Sequence, residues 1–168
     1  MSILPIFIPH AGCPHQCVFC NQKTISGQKL AAVAGAKEQL ARWRSWLRPS
    51  VANEAAFYGG SFTGLPLELQ EELLALTDAL LAEGFIGSVR LSTRPDYIDE
   101  ERLQLLQQHG VRLVELGVQS LDDRVLAAAE RGHTAAQVAP AVALLKRFGF
   151  QVGLQLMVGM PEQSFASV

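Results

Sequence analysis

Five short, continuous apolar runs, separated by stretches of helical periodicity, constrain this 168-residue chain more than any other feature. They are LPIFIPH (4–10), EAAFYGG (54–60), SVRLSTR (88–94), VRLVELGVQS (111–120) and FQVGLQLMVGMP (150–161). Runs that stay apolar instead of alternating are what parallel strands buried on both faces require. Between them lie amphipathic stretches at 36–47, 66–84, 99–110 and 134–149. Pro66 and the acids after it suit a first helical turn, and Gly84 suits a stop. The last stretch opens at a Thr134 cap and ends on Lys146, Arg147 and Gly149; Pro140 inside it should kink or shift it. Strand–helix alternation at this spacing predicts right-handed βαβ units and an all-parallel α/β sheet. Spacing alone leaves an open doubly wound sheet and a curved barrel both standing. Only EQSFASV follows the last run, so we expect an incomplete βα architecture, a fragment or truncated product, and not a finished five-stranded domain.

The length suits one domain over 1–168 with a real core. Hydrophobic residues make up 49% and charged residues 18%, and the net charge of −2 carries no whole-chain signal for nucleic acid or membrane. MSILPIFIPH is interrupted by Pro5 and Pro9, too short for a membrane span, and lacks a cleavable-signal pattern. Three cysteines cannot all pair. The expectation is a soluble cytoplasmic protein, without membrane partners, whose cysteines are reduced or metal-bound.

All three cysteines fall in GCPHQCVFCNQ (12–22), spaced C-x3-C-x2-C directly after the first strand. Three thiolates on one loop can converge on one face of a metal centre, as in iron–sulfur clusters. Three ligands on a four-iron cluster leave one iron open for chemistry. A structural zinc site needs a fourth ligand, for which His10 and His15 are near enough in sequence. A redox Cys17–Cys20 pair leaves Cys13 unexplained, and three incidental buried cysteines are the bland alternative. On these residues alone iron–sulfur and zinc stand level.

The other motifs also sit at strand ends: YGGSFTG (58–64), STRPDYI (92–98), ELGVQS (115–120), RGHT (131–134) and GMP (159–161). In this order, with Phe19 before the last cysteine, the string resembles the radical S-adenosylmethionine (radical SAM) superfamily. The similarity is to the branch containing the catalytic subunit of Elongator and its bacterial relatives. The resemblance implies a partial TIM-type (βα) barrel of six strands, of which about five are present here and the sixth is missing. It implies a [4Fe–4S] cluster on Cys13, Cys17 and Cys20, whose open iron binds SAM. An electron from a donor such as a flavodoxin or ferredoxin then releases a 5′-deoxyadenosyl radical that abstracts hydrogen from the substrate. SAM contacts are implied for Phe19, for Gly59, Gly60 and Ser61 through backbone, for Ser92 or Thr93 at the ribose, and for Gln119. Coproporphyrinogen-oxidase-type relatives imply Arg131 as the partner of the SAM carboxylate, which suits its planar fork. No catalytic side chain is assigned. A tRNA base is the first candidate substrate and a porphyrinogen the second. Nothing in the chain corresponds to the acetyltransferase-like domain of the Elongator subunit.

Several residues need an account of their own. Glu115 lies inside a buried strand and requires a partner, with Arg112 and Arg94 as candidates. Arg94–Pro95–Asp96 reads as a loop-shaping segment, and His133 as a cap or loop residue. Trp43 and Trp46 should pack on the sheet. RWRSWLR (42–48) interleaves basic and aromatic residues, as either an RNA-facing surface or a solvated helix face does. Rival functions are a zinc-stabilised binding module without catalysis and an inactive fragment whose sheet cannot close.

Overall fold

The computed structural model describes residues 2–8, 13, 15–20 and 29–164. His10, one of the two possible zinc ligands, lies outside the described residues. Five parallel strands form one sheet: β1 Ile3–Phe7, β2 Glu54–Tyr58, β3 Ser88–Thr93, β4 Val111–Gln119 and β5 Gln151–Leu156. Their spatial order is their chain order, β1-β2-β3-β4-β5. That order resolves what spacing left open, because a doubly wound sheet reverses direction about an early strand whereas a (βα) barrel adds each strand beside the last.

Among the described residues, five helices connect or flank the strands: α1 Lys29–Trp46, α2 Leu67–Ala82, α3 Glu100–Gln108, α4 Asp123–Ala128 and α5 Val138–Arg147. Right-handed crossovers between sequential neighbours put the connecting helices on one face of the sheet. There Leu4, Ile6, Phe57, Leu91, Val114 and Leu116 are buried against Leu40, Leu73, Leu103 and Leu145 in one core. Leu154 of β5 is in register with Leu116 but remains 49% exposed.

The helix-free face carries polar side chains. Arg90 reaches Glu54 at 3.3 Å and Glu115 at 2.8 Å, and Ser92 Oγ donates to Glu115 at 3.2 Å. Ser88 Oγ donates to Glu54, and Gln155 donates to Ser92. The partner of Glu115 is therefore Arg90, and not Arg112 or Arg94. Ser92 is in register with Glu115 on the neighbouring strand, so Arg90, two residues earlier, shares that face. Arg112 falls in the irregularity of the β3–β4 register, skipped between the Val89–Val111 and Arg90–Leu113 pairs, and is exposed. Arg94 lies past the strand and is held by Asp96.

Local chemistry accounts for the remaining differences. Helix α1 begins well before residue 36, because the alanine-rich segment around Gly35 favours helix more than one glycine opposes it. Pro140 shifts its helix without breaking it: residues 135–137 form a 3-10 turn, and α5 begins at Val138 with Pro140 in the first turn, where no N–H is needed. Helix α4 was not anticipated; Asp122 caps it by accepting from the Arg124 N–H at 2.9 Å. Trp43 packs as expected and donates to the Pro5 carbonyl at 2.9 Å. Trp46 does not: it stands edge-on to Trp43 and is 66% exposed.

Candidate active site

The cysteine loop, YGGSFTG, STRPDYI, ELGVQS and GMP lie at the C-terminal ends of strands, the end at which parallel α/β folds assemble their sites, whereas RGHT follows α4. The cysteine loop follows β1, and Gly59–Ser61 follows β2. Arg94–Asp96 follows β3, and Gln119 ends β4.

The cysteine loop is held from below by the segment after α4. The Val18 N–H donates to the Ala129 carbonyl at 3.1 Å, and Cys20 N–H closes a turn on the Cys17 carbonyl at 2.8 Å. His15 lies close against Gly132, where an added Cβ would fall 2.2 Å from the imidazole. Gly132 has φ +80° and Glu130 φ +53°, so this turn twice enters the left-handed region and swings Arg131 between them towards the cysteines. Cys17 is buried, while Cys13 and Cys20 are partly exposed, and none of the three is in a disulfide. Among the described residues, no three His, Cys, Asp or Glu side chains stand close enough together to form a finished metal site.

Two buried guanidinium groups lie beneath the thiols. Arg94, 1% exposed, holds both oxygens of Asp96 at 2.8 and 2.9 Å through Nε and Nη2. Its Nη1 donates to the Arg131 carbonyl at 2.8 Å and lies 4.0 Å from Cys13 Sγ. Burial works to raise the Asp96 carboxyl, but the hydrogen bonds and charge of Arg94 prevail and hold it below the ordinary range. Arg131, 8% exposed, donates from Nη2 to the Gly117 carbonyl at 2.6 Å and sits 3.8 Å from Cys17 Sγ through Nη1. Its Nε has no partner. Gly117 makes this possible, since a Cβ there would stand 3.0 Å from both Arg131 Nη2 and Gln119 Nε2.

His133 is a loop residue, as expected, but a buried one at 4% exposure, with no hydrogen-bond partner on either ring nitrogen. Burial, then the charges of Arg131 and Arg94, bring it down to about 4; a weak backbone pull from Val118 is the smallest influence. It lines a cavity of about 530 Å³ together with Arg131, Gly132, Thr134, Asp123 and Glu130.

The remaining candidates divide. Gln119 is at φ +69° after an irregularity in the β4–β5 register, a conformation costing a non-glycine residue about 1–2 kcal/mol. Strain of this kind gathers where a side chain must be aimed. Ser92 faces the helix-free side, whereas Thr93 is buried on the other, its hydroxyl 2.5 Å from that of Thr63. Phe19 is 37% exposed. Gly59, at φ +98°, is glycine because a Cβ would meet the Phe7 ring at 2.5 Å and the Ile8 carbonyl at 2.7 Å. Its need is thus set by the end of β1. Gly60 is half-buried, and Ser61 is buried at the head of the 3-10 turn Phe62–Gly64. Gln70 and Arg102 pin that turn by donating to the Thr63 carbonyl, and Gln70 also to that of Leu65.

The Radical SAM superfamily profile matches residues 7–168. The chain belongs to the radical SAM superfamily. Within it, this radical SAM domain is 25% identical over 202 residues to the tRNA uridine(34) acetyltransferase of Methanocaldococcus infernus, with 98% of this chain and 38% of that protein covered. It is 29% identical over 126 residues to Elongator complex protein 3 of Saccharomyces cerevisiae, covering 64% of this chain and 22% of the relative. Among solved structures, the fold is similar to coproporphyrinogen III oxidase of Escherichia coli, with TM-score 0.73, 20% identity, and 99% of this chain and 39% of that one covered. The chain thus spans well under half the length of these relatives. Among the described residues, no helix of the domain is long and apolar enough to cross a membrane.

Proposed function

We propose that this domain holds a [4Fe–4S] cluster on Cys13, Cys17 and Cys20 and binds SAM across the ends of β2, β3 and β4. The observation that carries the reading is Arg131. It is a buried guanidinium with no carboxylate partner among the described residues, one nitrogen against Cys17 and another unpartnered. A buried cation left uncompensated is strongly destabilising. A thiolate-bound iron–sulfur cluster or the carboxylate of SAM supplies the missing anion, and the three-thiol donor set suits the first.

With both groups bound, the cofactor pair supplies one-electron cleavage of SAM and hydrogen abstraction from a substrate. The protein's part is to bind, orient and keep out water. The Arg131 Nε offers a charge-assisted hydrogen bond to a carboxylate. Gln119, fixed by its strained backbone, offers both a donor and an acceptor. The backbone of Gly60 and Ser61 can receive an ammonium group, and Ser92 lies on the open face, where a ribose hydroxyl would take the place of its present partners Glu115 or Gln155.

The substrate reading is a tRNA base, supported by the relatives' roles in tRNA modification as their names give them; a porphyrinogen is the alternative. The electron donor would be a flavodoxin or ferredoxin, and the compartment the cytoplasm. Anaerobic reconstitution with iron and sulfide, then dithionite and SAM, tests the cofactor reading. Methionine and 5′-deoxyadenosine should appear together. A colourless protein that binds one zinc tightly and leaves SAM intact contradicts it. Filter binding of tRNA across a salt series tests the substrate, since contacts to phosphates must weaken steeply as salt rises.

A further inference from the structure

We propose that Arg94 and Asp96 form a charge device that sets the reduction potential of the cluster, Arg94 acting through Cys13 as a positioning residue. The inference rests on the reading of Cys13, Cys17 and Cys20 as cluster ligands. Arg94 is among the largest fully buried side chains of the domain, although the segment it opens is a loop at the surface end of β3, where a shaping ion pair has no need of burial. A guanidinium loses its hydration on burial and is retained only with a full set of partners.

Those partners are sorted by edge. The Nε–Nη2 edge of the planar fork holds both oxygens of Asp96, at 2.8 and 2.9 Å. The opposite corner, Nη1, has the Arg131 carbonyl at 2.8 Å and Cys13 Sγ at 4.0 Å. The cation is thus interposed between the carboxylate and the thiol, and the Tyr97 ring lies 5.4 Å from its centre. A lysine could carry the charge but not both edges.

Through its bond to the Arg131 carbonyl, the same side chain also ties the β3 end to the turn beneath Cys17. A positive charge beside a cluster sulfur favours the reduced, more negative state, and hydrogen bonds to sulfur and local charge are established controls of cluster potential. Asp96 acts with the opposite sign from farther away. Arg94 raises the potential, and Asp96 tempers that rise while holding the fork in place.

The test is a redox titration of the reconstituted chain, read by the electron paramagnetic resonance of the reduced cluster, with iron and sulfide measured beside it. At the potential that half-reduces the unmodified protein, Arg94→Gln should lower the reduced-to-oxidised ratio about tenfold, equivalent to about 59 mV for one electron. Asp96→Asn should move the ratio the other way, and Arg94→Lys should stay nearer the unmodified protein than Arg94→Gln does. A purely structural role moves all variants together, through lost iron. Unchanged potentials in fully loaded variants, or shifts of one sign in Arg94→Gln and Asp96→Asn, overturn the inference. Should Arg94→Gln not hold iron, the sign of the Asp96→Asn shift decides alone, and a zero or downward shift overturns it. An unmodified chain that takes up no cluster overturns the cofactor reading itself, and this inference with it.

Discussion

His133 was legible in the sequence only as a loop residue; that it is buried with both nitrogens unpartnered depends on how the turn after α4 folds under the cysteine loop. Its folded value of about 4 lies below the unfolded 6.5. Between the two, the unfolded chain binds a proton that the folded chain does not, so stability falls as pH drops from 6.5 towards 4. That gap is worth roughly 3 kcal/mol when fully developed. Thermal melts across this window should show His133→Asn with a clearly shallower loss than the unmodified protein; parallel curves would contradict the account. Gly132 makes a second prediction at this scale. Gly132→Val places branched carbons on the His15 ring and strains a positive φ, so iron uptake should drop severalfold. Adding His15→Ala should recover part of it. The spacing of His15 within the cysteine motif was visible, but its contact with a glycine more than a hundred residues away has no local signal.

Helices and strands were the most legible level, because the apolar periods that define them are local. All five predicted strands are present, and the 66–84 and 99–110 stretches became α2 and α3. What periodicity could not show was partner choice across strands. The pairing of Glu115 with Arg90 follows from register, which only the assembled sheet determines. Arg90→Met should therefore cost about 2 kcal/mol in chemical denaturation, between the values of exposed and buried pairs, because it leaves Glu54 and Glu115 facing each other without their shared cation. A loss indistinguishable from zero would show the network to be fully solvated. The basic–aromatic segment 42–48 belongs to the end of α1, whose axis runs back along the sheet from the cysteine end for roughly 27 Å at 1.5 Å per residue. Its exposed Trp46 is thus at the far end from the candidate site, and Arg44 is already engaged by Glu83 at 2.8 Å. A solvated helix face is the better description.

For the whole molecule, the convergence of motifs at one end of a parallel sheet is what links sequence to function. The order of the motifs was readable, and so was the position of all but RGHT at strand ends. The two arginines beneath the cysteines were not, since Arg94 had looked like a loop former and Arg131 like a SAM contact only. The central claim, that three cysteines on the β1 loop hold a four-iron cluster above those arginines, is tested most directly by Mössbauer spectroscopy on the iron-57-reconstituted chain. The account predicts about four irons and four sulfides per chain in the form of one [4Fe–4S] cluster, and its loss in each of Cys13→Ala, Cys17→Ala and Cys20→Ala. A spectrum without that cluster in the unmodified protein, or one that survives any of the three substitutions undiminished, contradicts it.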